Sequence, residues 1–325
     1  MSTLTPAIDP ADTPDPKQAS PDAAGPRRRK RGGAAGNAAR AVTSPWGSFF
    51  AVVLAIAWTT PTVGLLVTSF RNQEDIQSTG WWSALWNGGF TLQNYKDVLG
   101  GGAEMPVSMT DFVINSIVIA IPSVMLPLLL ASLAAYAFAW MDFPFKNALF
   151  VAVFALQIVP LQIALLPLVQ MYQQIKIGSW TMGGSFWALW ISHAIFALPL
   201  AVYLLHNFMK DIPASLIEAA RVDGAGHVRI FFKIMLPLMA PALASFGIFQ
   251  FLWVWNDLLV AITMLGGSPD RAPLTMELNQ ISGTLGGRWY LLSAAAFISM
   301  ALPVIVFLAL QRYFVRGLLA GGTKG

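Results

Sequence analysis

The sequence predicts an all-α, polytopic membrane protein with six transmembrane helices. Hydrophobic residues make up 56% of the 325 residues and charged residues only 11%, whereas soluble domains carry about 25% charged residues. A spanning helix needs roughly 20 apolar residues. Six stretches meet this requirement, at about 48–70, 112–139, 148–170, 185–206, 238–265 and 291–314. A single soluble core could not bury so many apolar runs of this length.

The distribution of basic residues predicts that both termini lie in the cytoplasm. Cytoplasmic loops accumulate Lys and Arg, and this orientation places 15 of the 20 basic residues inside. Without the N-terminal tail, which holds seven of them, eight remain inside against five outside. The orientation places segment 207–237 in the cytoplasm. The five outer residues are Arg71, Lys96, Lys176, Arg271 and Arg288.

Residues 1–45 are predicted to form a disordered cytoplasmic tail, and 46–325 the transmembrane domain. The tail is rich in Pro, Ala, Asp and Ser and cannot bury enough apolar surface to offset its ordering entropy. Its basic run, 27–31, is more typical of contact with anionic membrane lipid than of a nucleic-acid site, since no aromatic or folded context accompanies it. Without cysteine the chain has no disulfide, thiolate metal site or cysteine nucleophile. No spacing indicates another metal site or a catalytic residue.

The most specific pattern lies between the fourth and fifth predicted spans. Glu218-Ala219-Ala220 is followed after three residues by Gly224, after nine more by Ile234, and then by Leu236-Pro237. A proline such as Pro213 is tolerated in the first turn of a helix, and Asp211 is placed to cap that turn. Gly224 can adopt the positive φ that ends a helix. The segment therefore predicts a helix, a sharp turn and a second helix, with an apolar stripe at Leu216, Ile217 and Ala220.

This spacing resembles the cytoplasmic EAA coupling loop of permease subunits in bacterial ABC importers. The resemblance implies the type I ABC importer permease fold in the bacterial cytoplasmic membrane. It also implies that the loop docks onto a separate ATPase. The alternative is an ordinary amphipathic loop that covers the inner end of the bundle. The coupling residues that the resemblance implies are Glu218, Ala219, Ala220, Asp223, Gly224, Leu236 and Pro237.

The C-terminal sequence looks like the terminal motif of sugar-importing permeases, most like the second permease of maltose-type systems. The segments 311–317 and 320–325 carry this likeness, together with Asn115-Ser116 and Trp255-Asn256-Asp257. Asp257 stands where Glu is commoner, and Thr323 where a small apolar residue is commoner. In that family the tail, here 315–325, extends between two ATPase subunits; a frayed terminus is the alternative. Segment 250–260 and the tail look most like the α-glucoside branch.

Polar residues in the predicted fifth span are candidates for the solute path. Asp257 is the only Asp or Glu inside a predicted span, and such residues usually face a cavity or a partner. Gln250, Trp253 and Asp257 are spaced to share one helix face, with Asn256 beside it. Amides and an aromatic ring would suit a sugar. Asn115, Gln157 and Gln162 are weaker candidates, and hydrogen bonding between helices is the alternative for the whole set.

A longer outer loop is predicted at 266–290. In maltose-type importers the corresponding loop reaches toward the solute-binding protein, which the resemblance carries over to Asn279, Gln280 and Ser282. A simple connector is the alternative.

The predicted function is that of a permease subunit that imports a carbohydrate, an α-glucoside or related disaccharide. The expected partners are a homologous permease, an ATPase dimer, an extracytoplasmic sugar-binding protein and membrane lipid, with no nucleic acid. The sequence has no G-x4-GK[ST] phosphate loop, so we expect ATP and Mg²⁺ on the partner ATPase, no cofactor in this chain and no enzymatic activity. Two alternatives are an ion-coupled secondary transporter that uses Asp257 and His193, and a non-transporting membrane scaffold.

Overall fold

A computed structural model describes residues 45–101, 107–283 and 287–322, and the side chains up to Gln311. The predicted disordered tail, apart from its last residue, lies outside the described residues, as do 323–325. The described residues divide into two units, one ending at Thr60 and the other beginning at Pro61. In the first unit, Phe49 makes edge-to-face contacts with Trp46 and Phe50. The candidate functional sites described below lie in the second unit.

The described part of the chain is almost entirely helical. A short antiparallel hairpin is the exception, with β1 (Lys176–Ile177) paired to β2 (Trp180–Thr181). Single turns of 3₁₀ helix lie at Trp81–Ser83, Leu156–Ile158 and Pro269–Arg271, and a π-helical turn at Phe231–Met235. The α-helices are α1 Pro45–Ser69, α2 Gln73–Ser78, α3 Ala84–Asn87, α4 Gln93–Gly100, α5 Met109–Trp140, α6 Lys146–Ala155, α7 Leu161–Gln174, α8 Phe186–Lys210, α9 Ala214–Val222, α10 His227–Ile230, α11 Leu236–Leu238, α12 Ala240–Trp255, α13 Leu259–Leu265, α14 Leu274–Ser282 and α15 Trp289–Gly322.

Four helices are long and apolar enough to cross a membrane alone: α1, α5, α8 and α15 up to Gln311. Two further candidates are bent helix pairs, Lys146–Ile158 with Leu161–Gln174 at 99° and His227–Leu238 with Ala240–Trp255 at 71°. Counting each pair as one span gives six among the described residues. The predicted all-α class is confirmed, but two of the spans are not the continuous helices that were expected.

The third predicted span, 148–170, is interrupted at Val159 and Pro160. Proline disfavours the helical conformation of the residue before it, and Val159 is extended, with φ −69° and ψ 118°. Helix α7 then starts at Leu161 with Pro160 at its N-cap. The chain turns sharply here because of this single proline.

The prediction of a continuous fifth span at 238–265 is wrong, because α12 ends at Trp255 and α13 begins at Leu259. Short polar side chains compete with helical hydrogen bonds, and both polar residues at this break do so. Asn256 Nδ2 donates to the Leu252 carbonyl at 2.7 Å. The Asp257 carboxylate accepts from the backbone N–H groups of Val260 and Ala261 at 3.2 and 2.9 Å. The prediction that Asp257 shares one helix face with Gln250 and Trp253 is therefore wrong.

Small residues bring the central helices α5 and α8 close together. Ala131 and Ala135 of α5 and Ala197 and Ala201 of α8 are fully buried, and such residues permit close approach of membrane helices. They belong to a buried cluster that continues into segment 207–237. We call it the loop-side cluster; its other members include Tyr136, Leu205, Met209, Ile217, Ala220, Ile230, Phe231 and Met235. A second cluster lies around Phe112, Tyr172, Leu189 and Leu291.

Candidate functional site

Helix α9 carries the EAA residues, with one face against the bundle and the other face exposed. Ile217 and Ala220 are buried in the loop-side cluster, whereas Glu218 and Ala219 are exposed. The predicted apolar stripe is therefore correct for Ile217 and Ala220, but Leu216 is 46% exposed. Burial of one face fixes the orientation of the helix and directs Glu218 away from the membrane helices.

The turn after α9 is closed by backbone hydrogen bonds characteristic of a Schellman motif. The N–H of Gly224 donates to the Arg221 carbonyl at 3.0 Å, and the N–H of Ala225 donates to the Ala220 carbonyl at 2.9 Å. Gly224 has φ +79°, which confirms the predicted positive φ. Asp223 is the exposed C-cap residue. The predicted helix, sharp turn and second helix are present, with a defined turn geometry.

The cap predicted for Asp211 is wrong. Helix α9 begins at Ala214 with Pro213 at its N-cap and no side-chain capping bond. Asp211 instead is the C-cap residue of α8. The proline sets this boundary, because its φ suits the start of a helix.

Two hydrogen bonds connect the loop to the end of α5. The Tyr136 hydroxyl and His227 Nδ1 are 3.0 Å apart, and Arg221 Nη2 donates to the Trp140 carbonyl at 3.3 Å. His227 thus bonds within the chain. Together with the buried face of α9, these bonds let a displacement of the loop act on α5.

Exposed apolar residues at the tip of the loop were missed by the sequence reasoning. Val222 is 88% exposed and Val228 73% exposed, although both lie outside the helices long enough to cross a membrane alone. A large apolar residue beside the polar turn Asp223-Gly224 was the available signal. On α9, Leu216 and Val222 each lie one helical turn from the exposed Ala219, so exposed apolar residues accompany Glu218.

The loop returns to the membrane through an irregular helix. The π-helical turn Phe231–Met235 contains Ile234 and is followed by Leu236 and Pro237 in α11. Leu236 is half-buried and packs on the loop-side cluster, while Pro237 is exposed. The 71° bend before α12 follows directly, so the motif's last three residues lie where the chain changes direction.

The break in the third span borders a cavity of about 490 Å³. Non-helical backbone at membrane depth is tolerated where it lines a cavity or is buried in protein, which accounts for the position of the cavity. Its wall gathers Trp253 with Gln157 and Gln162, and it has no charged residue. The remaining lining residues are Leu156, Ile158, Val159, Pro160, Leu161, Ala164, Ile195, Phe196 and Pro199.

The other predicted path residues of the fifth span lie elsewhere. Gln250 is fully buried, and its Nε2 donates to the Ser123 carbonyl at 3.4 Å. Asn256 is exposed at the end of α12. Asp257 caps α13, and its carbonyl accepts a 2.6 Å hydrogen bond from Thr275 Oγ1. His193 Nε2 lies 3.7 Å from Asp257 Oδ2, and neither ring nitrogen of His193 has a hydrogen-bond partner among the described residues.

Asn115 and Ser116 hold the segment 270–274 against α5. Asn115 Nδ2 donates to the carbonyls of Asp270 and Ala272, both at 3.1 Å. Ser116 Oγ accepts from the Leu274 N–H at 2.8 Å. These contacts explain why an Asn-Ser pair is useful near the start of this span: it binds backbone that would otherwise be unpaired.

The predicted outer loop 266–290 is structured in its described part. Helix α14 buries Leu274 and Ile281 and leaves Asn279, Gln280 and Ser282 exposed. Burial raises the pKa of the Glu277 carboxyl on the same helix, and the nearby Arg288 lowers it to a smaller extent. The three candidate residues therefore lie on an anchored helix, while 284–286 are outside the described residues.

The spans, the loop and the cavity together define a membrane-embedded transport subunit. The sequence matches the family of binding-protein-dependent transport system inner membrane components over residues 105–319. The chain belongs to this family, and it is an inner membrane component.

Two relatives and one solved structure place the chain more closely. It is 48% identical over 277 residues to the osmoprotective compounds uptake permease of Synechocystis, covering 84% of this chain and 90% of that protein. It is 50% identical over 236 residues to the alpha-glucoside transport system permease of Rhizobium meliloti, covering 73% of this chain and 61% of that protein. A chain of a bacterial ABC transporter that imports alginate matches with a TM-score of 0.65 at 20% identity, covering 83% of this chain and 98% of that chain. This likeness confirms the predicted ABC importer permease fold.

Proposed function

We propose that this chain is the permease subunit of an ABC importer and that segment 207–237 docks onto a separate ATPase. The observation that carries the proposal is the outward surface of α9 and its turn. There Glu218 and Ala219 are exposed beside Val222 at 88% exposure. Exposed apolar groups rimmed by polar residues mark interaction sites, and Ala219 permits close approach of another chain. Asp223 and Gly224 shape the tip, and Leu236 and Pro237 lead into α12.

The partners we propose follow from this role. A homologous permease would complete the pathway, an ATPase dimer would hold ATP and Mg²⁺, and an extracytoplasmic sugar-binding protein would deliver the solute. With both termini in the cytoplasm, the exposed residues Asn279, Gln280 and Ser282 of α14 would face that binding protein. Residues 315–325 would extend toward the ATPases.

Closure of the ATPase dimer would move α9. Because α9 is packed on the loop-side cluster and bonded to α5 through Tyr136–His227 and Arg221–Trp140, its displacement would rock the central helices. As the central helices move, the side of the membrane to which the cavity opens would change.

The solute we propose is a neutral carbohydrate, an α-glucoside or related disaccharide. One relative is named for α-glucoside transport and another for osmoprotective compounds. The cavity at the third span supports a neutral solute because its lining combines two amides with Trp253 and no charge. Its volume of about 490 Å³ lies within the usual range for ligand pockets, about 300–1,000 Å³. Amides can bond sugar hydroxyls while the indole ring covers an apolar sugar face.

The cavity also changes which residues we propose for solute contact. Gln250 and Asp257 are engaged in hydrogen bonds within the chain, and Asn115 holds segment 270–274. We therefore assign the contact to Trp253, Gln157 and Gln162. Asn256, exposed at the end of α12, would border the path.

The test is uptake of labelled maltose by cells that express the complete transport system. Reversing the charge of Glu218 (Glu218→Lys) is expected to lower uptake at least about tenfold, because loss of a charged interface contact costs about 2–5 kcal/mol. The ATPase should no longer copurify, although the permease remains in the membrane. Trp253→Ala should change uptake and its selectivity among unlabelled sugar competitors while the ATPase stays bound.

Glu74→Lys is the matched control, since Glu74 is also an exposed helical acid but lies in α2, on the other side of the membrane in a six-span topology. It should leave uptake and ATPase retention unchanged. Undiminished uptake and retention with Glu218→Lys would refute the coupling role. Competition only by charged solutes would refute the neutral sugar.

A further inference from the structure

A second cavity lies at the same end of the bundle as segment 207–237. It has a volume of about 180 Å³ and is formed where the end of α5, the start of α6 and the last turns of α8 meet. None of its residues is used by the proposed coupling or solute contacts. It is lined by Phe138, Lys146, Asn147, Phe150, His206 and Lys210.

An unpartnered ring nitrogen faces this region. His206 is only 5% exposed, and its Nδ1 has no hydrogen-bond partner among the described residues. The ring lies on Phe150, with centroids 4.2 Å apart. The His206 ring therefore forms a buried part of the cavity wall, against which the two lysines are placed.

Two lysines make the cavity basic. Lys210 is four residues after His206 in α8, so both lie on one helix face. Lys146 Nζ donates to the Met141 carbonyl at 2.7 Å and lies 3.5 Å from Asp142 Oδ1, an exposed carboxylate. Lys210 takes part in neither of the two salt bridges among the described residues. The Asn147 amide adds a further donor. Two ammonium groups and neutral donors suit an anion with several acceptor oxygens, such as a phosphate ester.

The surroundings favour an amphiphilic anion over a free one. Phe138 and Phe150 form an apolar wall at the end of membrane helices. Phe145, directly before Lys146, is 84% exposed and has φ +61°. Such a conformation is an outlier for a bulky residue and persists where the surroundings impose it. A lysine near the end of a membrane helix places its charge at the interface, and an exposed Phe ring beside it supplies apolar surface.

We propose that this cavity binds the phosphate of an anionic phospholipid headgroup, in the leaflet on the side of segment 207–237. Lys146 and Lys210 contact the phosphate oxygens, the Asn147 amide donates a hydrogen bond, and the acyl chains run along the apolar surface beside Phe145. Basic pockets between membrane helices bind such headgroups. Free inorganic phosphate carries the same acceptor oxygens, and the experiment below distinguishes its binding from that of the lipid.

The test is titration of the purified full transporter with short-chain phosphatidylglycerol, short-chain phosphatidylcholine or inorganic phosphate, with thermal stability as the readout. We expect phosphatidylglycerol to stabilise the wild type, and each lysine-to-glutamine change (Lys146→Gln, Lys210→Gln) to weaken its apparent affinity roughly fivefold. Lys146→Arg and Lys210→Arg should retain binding. Lys176→Gln removes an exposed charge of β1 and should bind the lipid as the wild type does.

Three outcomes would overturn the proposal. Equal weakening by Lys176→Gln would mean general charge attraction. Stabilisation by inorganic phosphate with the same lysine dependence, and none by lipid, would assign the site to free phosphate. Loss of the ATPase from the two glutamine variants with unchanged lipid affinity would assign the cavity to a protein contact. Because maltose uptake is not the readout, these outcomes are independent of the proposed transport function.

Discussion

At the residue scale, Gly224 shows how one backbone angle determines the shape of the coupling loop. Its φ of +79° is accessible to glycine but strained for residues with a Cβ. The sequence could predict this position, because a glycine after a helical pattern is a recognised stop signal. It could not predict Val222, since exposure of an apolar residue depends on which face of α9 the bundle buries.

Gly224→Ala tests this angle without a steric clash, because no heavy atom lies within 4 Å of the position its Cβ would take. We expect a cost of about 1–2 kcal/mol in the turn, and hence reduced ATPase retention and maltose uptake. Gly226→Ala is the control. Gly226 has φ −75°, and no heavy atom lies within 4 Å of the position its Cβ would take. Equal losses in both variants would show that the positive φ is not the cause.

Glu277 on helix α14 gives a pH-dependent prediction. Burial raises the pKa of its carboxyl in the folded protein, with Arg288 opposing this. The folded state therefore holds the proton more tightly than the unfolded state, whose glutamate has a pKa of about 4.3. The stability from this site is fully present below that value and is lost as pH rises through the raised pKa.

Replacing the carboxyl by a neutral amide (Glu277→Gln) should therefore raise the melting temperature of the transporter relative to the wild type at about pH 7.5, and much less at about pH 4.5. Glu74→Gln controls for removal of an exposed negative charge. A difference between Glu277→Gln and the wild type that does not vary with pH would contradict the assignment.

At the scale of elements, the two broken spans separate what hydropathy can predict from what it cannot. Each of the six predicted apolar runs overlaps a candidate span among the described residues, because length and composition decide whether a segment enters a bilayer. They did not predict the breaks, which arise from Pro160 and from the side-chain hydrogen bonds of Asn256 and Asp257. Because of these breaks, the candidate solute-contact residues do not lie together. Trp253 lines the cavity with Gln157 and Gln162, whereas Asp257 accepts hydrogen bonds at the start of α13.

The capping role of Asp257 predicts a graded effect of substitution. Asp257→Ala removes both acceptors of the Val260 and Ala261 N–H groups, at a cost of about 0.5–2 kcal/mol. Amide hydrogen exchange in a peptide covering 256–265 should accelerate about 2- to 30-fold. Asp257→Asn keeps one acceptor and should exchange more slowly than Asp257→Ala. Identical exchange in all three proteins would mean that the carboxylate does not hold the start of α13.

At the scale of the whole molecule, segment 207–237, the central helices and helix α14 form one connected path. Segment 207–237 is bonded to α5, and the other end of α5 holds segment 270–274 through Asn115 and Ser116. The Thr275 hydroxyl of α14 then donates a hydrogen bond to the carbonyl of Asp257, at the break between α12 and α13. The spacing of the EAA motif predicted the loop alone. The path could not be predicted, because its contacts to α5 join residues more than 80 positions apart in the sequence.

The most direct test of the central claim uses the absence of cysteine from the chain. A single cysteine at the exposed tip (Val222→Cys) can be linked to amines of a neighbouring protein by a short thiol–amine reagent, and Gln280→Cys on α14 serves as the comparison. We predict that Val222→Cys cross-links to the ATPase and is shielded from an impermeant thiol reagent outside the cell, whereas Gln280→Cys is labelled from outside and does not reach the ATPase. Labelling of Val222→Cys from outside, or no cross-link to the ATPase in the active transporter, would contradict the account.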